Sequence, residues 1–254
     1  MMKINSKLAK YFLAAAPVFI SGVFAQDSAV PKEPIFLDGA NTCGDIALPK
    51  FGDAATDWWV TSLCAVANSG KFLQGQVGNL LNTETLASAT FGAFDLYDSN
   101  NNELTELGYY RTSCDLSFNA DEAWWPSGFS TAAANLFWPQ TVLTTITWQA
   151  GEVSGAQTLQ MISGKSITSS PAGSDDFWTA TTRAPALPVI FQAKESPDNG
   201  QFRSGGWYTV LGSTGDQETG TLNWYGDQGG LVATFSDIQS SIESAYYPEG
   251  VDSL

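Results

Sequence analysis

Residues 86–118, LASATFGAFDLYDSNNNELTELGYYRTSCDLSF, decide how the chain reads. Residues 86–97 and 104–118 are rich in Thr, Phe, Tyr and Leu and read as two strands of a half-buried sheet. Asp98-Ser99-Asn100-Asn101-Asn102 lies between them. Asn and Asp tolerate left-handed backbone and bond their own main chain, so these residues predict a hairpin turn. Oxygen atoms at Asp95, Asp98, Asn100, Asn102 and Glu103 resemble the start of a calcium loop. Counted from Asp98, however, the places that need Gly and Glu hold Glu103 and Tyr109. The template fails, and no metal or cofactor is expected.

Further along, residues 141–148 (TVLTTITW) alternate, with Val142, Thr144, Ile146 and Trp148 sharing one face of a strand. Residues 189–193, 207–211, 221–224 and 231–235 continue the series, with Gly205-Gly206 and Gly229-Gly230 as turns between strands. Residues 146–152 and 189–195 share a strand followed by Gln-Ala-x-Glu, an echo too short to make a repeat. Helices are expected at 130–137, capped by Ser130 and stopped by Pro139, and from Ser236, with Ile238, Ile242 and Tyr246 on one face. Residues 54–69 lean towards helix, with Trp59, Leu63 and Val66 on one face and Gly70 as the stop. The expected fold is mainly β, a β-sandwich or barrel-like domain over residues 53–254 with two or three short helices. Residues 26–52, with Pro31, Pro34 and Pro49, read as an extended N-terminal segment. The Ser, Thr, Pro and Ala of 163–188 read as an interdomain linker or a long surface loop.

The N-terminus follows the secretory order. Lys3, Lys7 and Lys10 precede the apolar residues 11–20, and small residues at Val23 and Ala25 suit a signal peptidase. The apolar run is about half the length that spans a bilayer. Residues 1–25 are therefore expected to be removed, leaving a secreted chain that starts at Gln26 and does not insert into a membrane.

Three basic residues and no acidic ones leave with the signal, which takes the net charge from −15 to −18. Such a surface repels phosphate backbones and anionic membranes, so nucleic acid is not an expected partner. There is no histidine. Ser-His-Asp and Cys-His catalysis and most zinc, copper and non-haem iron sites are thereby excluded in their usual forms. Cys43, Cys64 and Cys114 allow at most one internal disulfide, with one thiol left over.

The remaining signals are aromatic and acidic. Trp58-Trp59, Trp124-Trp125, Phe177-Trp178, Trp207-Tyr208 and Trp224-Tyr225 are adjacent aromatic pairs, as is Phe137-Trp138. In a strand, neighbours point to opposite faces, so each pair would bury one ring and expose the other. Exposed flat rings stack on sugars. Trp124 and Trp125 are the expected ligand-binding residues, because Asp121-Glu122 before them and Pro126-Ser127-Gly128 after them suit a rim loop. Burial of both rings in the core is the competing expectation. Paired carboxylates, Asp121-Glu122 and Asp175-Asp176, each precede an aromatic pair, but spacing in sequence does not select a catalytic pair. No catalytic residue is assigned. The expected function is that of a secreted, non-catalytic extracellular binding or surface-structure protein, with a polysaccharide or other glycan as ligand. The alternatives are a secreted glycoside hydrolase built on two carboxylates, and a structural or adhesive subunit assembling through strand edges or the odd cysteine.

Overall fold

The computed structural model describes residues 32–37, 57–70, 72–98, 102–114, 123–137, 154–215, 221–226, 229–251 and 253–254. The signal region, Cys43, Asp121, Glu122, Trp138 and the strand expected at 141–148 lie outside these residues.

The central hairpin forms where the sequence placed it. β1 (Val77–Gly78), β2 (Phe91–Tyr97) and β3 (Leu104–Tyr110) make an antiparallel sheet in that order. The Asp98 N–H donates to the Glu103 carbonyl at 2.9 Å, and Asn102 takes a φ of +56°, the left-handed backbone that asparagine tolerates. The second run stops being a strand at Tyr110, where a single 3-10 turn, Arg111–Ser113, follows.

A larger antiparallel sheet holds β4 (Ile167–Pro171), β5 (Val189–Ala193), β6 (Trp207–Thr214), β7 (Thr221–Gly226), β8 (Gly229–Thr234) and β9 (Ile242–Pro248). Its strand order is β4-β9-β5-β6-β7-β8. Neither sheet closes into a barrel among the described residues. Four helices of nine residues or more accompany them: α1 (Asp57–Asn68), α3 (Trp125–Phe137), α4 (Gly155–Ser163) and α5 (Asp175–Arg183). α2 (Phe72–Gly75) and α6 (Phe235–Gln239) are short. The fold is mixed α/β with two antiparallel sheets, not mainly β with two or three short helices.

The extra helices were present in the sequence as caps. Ser154 and Gln157 form a reciprocal capping box at the start of α4, and Gly164 ends it at a φ of +65°. Ser174 caps α5 by accepting from the Phe177 N–H, and Asp175 and Asp176 sit in its first turn, where the helix dipole favours them. Residues 163–188 thus hold β4 and α5 and bury Phe177 and Ala180. Two other expectations are corrected. α3 starts at Trp125, so Ser130 is an interior residue, buried, accepting from the Trp59 indole at 2.8 Å and donating to the Pro126 carbonyl. The helix opened at Ser236 ends at Gln239, and Ile242 and Tyr246 belong to β9. β9 pairs with β4 on one side and β5 on the other, and two ladders outweigh a weak helical periodicity.

Strands β5, β6 and β9 of the large sheet are covered on both faces. Ile190, Trp207, Leu211 and Tyr246 join the core beneath α1 and α4. Val189, Phe191, Tyr208, Val210 and Ala245 join a second core against α5 and α6. α4 packs on β2 as well as on β4 and β9, so it lies between the small sheet and the large one, with α1 packed beside it on β6. That position explains why α1 is buried at every residue but its last.

Candidate functional site

Trp124 and Trp125 are not a stacking surface. Their exposures are 1% and 0%. Each backbone amide donates to residues 34 and 35 of the N-terminal segment, at 3.2 and 3.1 Å. The Trp124 indole meets Phe94 edge-on at 5.5 Å, and Trp125 stacks on Phe36 at 5.9 Å. The N-terminal segment therefore closes over the two rings that the sequence reading exposed. No residue of that segment is adjacent to them in sequence, so local composition could not reveal the cover.

The same holds for the other pairs. Trp58 and Trp59 are both buried because they lie on a helix packed on all sides. Trp207 and Tyr208 point to opposite faces of β6, and both are buried because both faces are covered. Trp178 is partly buried against Phe235. The side chains of Trp224 and Tyr225 lie outside the description.

Among the described residues the exposed large hydrophobics are Leu104 and Tyr110 on the outer face of the small sheet, Leu81 and, on β8, Val232. Register brings Phe91 opposite Tyr110, Ala93 opposite Gly108, Asp95 opposite Glu106 and Tyr97 opposite Leu104. The inner face carries Phe94 and Leu107, which join the core. On the outer face Tyr110 is 50% exposed, and Phe91 packs against its ring at 5.2 Å. Gly78, Ala93 and Gly108 form a row of small residues across the three strands. A Cβ at Gly108 would lie 2.6 Å from the Phe91 ring, so glycine lets that ring lie flat over β3.

Beyond the small row stand the two carboxylates. The Asp98 N–H to Glu103 O and Arg111 N–H to Thr90 O bonds fix which rungs are hydrogen-bonded. By alternation Asp95 and Glu106 form a non-hydrogen-bonded rung, where opposed side chains come closest, with Cβ atoms about 4.5–5.5 Å apart. Burial pushes the Asp95 carboxyl above its ordinary value, and the Glu106 carboxylate adds to the push. Asp95 Oδ1 has no hydrogen-bond partner among the described residues. Glu106 accepts from the Asn79 amide at 2.5 Å, across β2 from its own strand. Asp95 Oδ1 is itself buried, so the face offers a flat ring, a shallow floor and the exposed Glu106 carboxylate. Asp95 was already in view as part of the acidic turn. Tyr110 and Glu106 were legible only through hairpin register.

Other polar groups hold the frame. Asp57, nearly fully buried at the start of α1, accepts from Arg203 at 2.5 Å and from the Trp207 and Trp58 amides at 3.0 and 2.8 Å. Burial raises its carboxyl, against the pull of those three donors. Thr61 and Thr209 exchange hydrogen bonds with backbone across the same α1–β6 contact. Cys114 is a buried free thiol, pushed up to about 12 mainly by burial, which leaves it inert as a nucleophile at neutral pH. Among the described residues no group of three or more acidic or cysteine side chains is placed to hold a metal ion, and no helix is long and apolar enough to cross a membrane.

Compared with known proteins, the chain matches no family model and no curated protein.

Proposed function

We propose that this chain is a secreted, non-catalytic binding protein that takes a glycan on the outer face of the small sheet. The observation that carries the reading is the half-exposed Tyr110 ring, backed by Phe91 and standing on the same face as the Asp95–Glu106 rung. A flat ring contributes dispersion and hydrophobic contact to a sugar face, and carboxylates accept from sugar hydroxyls. The net charge of −15 favours a neutral or cationic ligand over an anionic one. Secretion rests on the N-terminal pattern, and mass-spectrometric sequencing of the N-terminal peptide of exported protein should begin at Gln26 or its cyclised form. α4, packed on both β2 and β9, makes the sandwich reading one of sheets joined through a helix rather than face to face.

The test is glycan-array binding by the parent, Tyr110→Ala and Glu106→Gln, with melting temperatures alongside. The parent should be retained on at least one polysaccharide, and both variants should lose retention while melting close to the parent. A parent retained on none, or a Tyr110→Ala variant that binds unchanged, defeats the reading. A carboxylate hydrolase is the second reading, and the raised Asp95 carboxyl opposite Glu106 favours it, since retaining glycosidases use a close acid–nucleophile pair. It requires the parent to cleave a glycan and Glu106→Gln to abolish cleavage.

A further inference from the structure

We propose that β3 pairs edge to edge with β3 of a second copy of this chain, antiparallel, about a two-fold axis at Leu107. Because residues 103 and 111 bond across to β2, alternation turns the N–H and C=O groups of Leu104, Glu106, Gly108 and Tyr110 away from it. Among the described residues no strand pairs on that side. β3 runs seven residues without a bulge, carries no proline or lysine, and has Glu106 as its one charged side chain.

The strand's own sequence selects the partner and the register. Outward groups can meet only outward groups, so the even-numbered residues face one another. Centring on Leu107 sets Leu104 against the partner's Tyr110 and Glu106 against the partner's Gly108. Leu104 and Tyr110, 51% and 50% exposed, then cover each other twice, once at each end of the ladder. Sliding one strand by two residues towards its N-terminus would oppose Glu106 to its own copy, and like charges directly opposite are destabilising. Beyond the ladder, Glu103 stands opposite the partner's Arg111, whose guanidinium already pairs with Glu33 of its own chain, so the Leu104–Tyr110 contacts carry the register. The isologous contact is closed, as a two-fold dimer requires, and joins the two small sheets into one continuous antiparallel sheet. Tyr110 serves both this pairing and the proposed glycan face, and Leu104→Lys, which leaves Tyr110 in place, separates the two: it should weaken the dimer without abolishing glycan retention.

Sedimentation equilibrium on the full chain at micromolar concentration, with and without reductant, tests it. The parent should sediment as a dimer in both conditions. Leu104→Lys and Tyr110→Glu, both at exposed positions, should each weaken dimerisation by roughly tenfold or more while leaving the far-ultraviolet circular dichroism unchanged. The two substitutions combined set opposite charges across both ends of the ladder and should restore the dimer. A monomeric parent, a dimer lost on reduction, or a double variant no tighter than the single ones would overturn the proposal.

Discussion

The large sheet and the small sheet start from the same material, short antiparallel strands rich in aromatic residues, and end in opposite environments. In β6 the neighbours Trp207 and Tyr208 both disappear from solvent, because α1 and α4 cover one face and α5 and α6 the other. In β3 the pattern alternates from exposed to half-buried along its whole length. The difference does not lie in the strands. It lies in which helices reach them, and it teaches that an aromatic pair reports a sheet but says nothing about how many of its faces are covered.

The sharpest way to break this comparison is to truncate one ring from each side of it. Trp125→Ala should cost about 3–5 kcal/mol, because a fully buried indole is replaced by a cavity. Tyr110→Ala should stay within about 1 kcal/mol, since half its surface is already in water. Urea denaturation of both variants decides it, and equal losses would mean that the small sheet's outer face is covered after all.

Next in size is the contact that docks α1 on β6. Asp57→Ala leaves the buried Trp207 N–H without its acceptor and Arg203 without its partner, at a cost of about 1–3 kcal/mol. Hydrogen exchange should show α1 and β6 losing protection together. Loss confined to α1 would mean that the large sheet does not depend on that cover.

Two carboxylates, Glu84 in the connection between β1 and β2 and Asp95 on β2, should respond to pH with opposite signs. Burial works to raise Glu84, but the Thr90 hydroxyl, the Thr90 and Phe91 amides and Lys32 outweigh it, and its carboxyl titrates below the ordinary value. Its contribution is present above the unfolded-state carboxylate value, about 4.3, and is lost as pH falls through the folded-state value. Glu84→Gln should therefore be less stable than the parent at neutral pH and lose that deficit in acid. Asp95 is held above the ordinary value, so its ionisation works against folding as pH rises. Asp95→Asn should be as stable as the parent or more so at neutral pH, by roughly 0.2–1 kcal/mol. Thermal melts across the acid range check both, and matching signs would remove the Asp95–Glu106 repulsion from the account.

The smallest expected effect concerns the thiols. Cys114 should resist alkylation in the folded protein and react once it is unfolded, with little change in stability on Cys114→Ser, on the order of 1 kcal/mol. With Cys114 free, the single internal disulfide expected from the sequence would join Cys43 and Cys64. Peptide mapping without reduction that joined Cys114 to either of the others would reverse it.

The sequence by itself determined the local structure wherever chemistry within a few residues was enough. The Asn-rich turn sets the β2–β3 hairpin, Gly70 stops α1, and β5 spans residues 189–193 as read. Ser154 with Gln157 and Ser174 mark two further helix starts in the sequence as caps. Tertiary structure alone decided what each element faces. The N-terminal segment buries Trp124 and Trp125, two neighbouring ladders make a strand of 242–248, and the absence of such cover among the described residues leaves Tyr110 and Leu104 in solvent. Caps and turns act over a few covalent bonds and leave their signature in adjacent residues. Burial is set by contacts between segments far apart in the chain, and no window of sequence contains both partners.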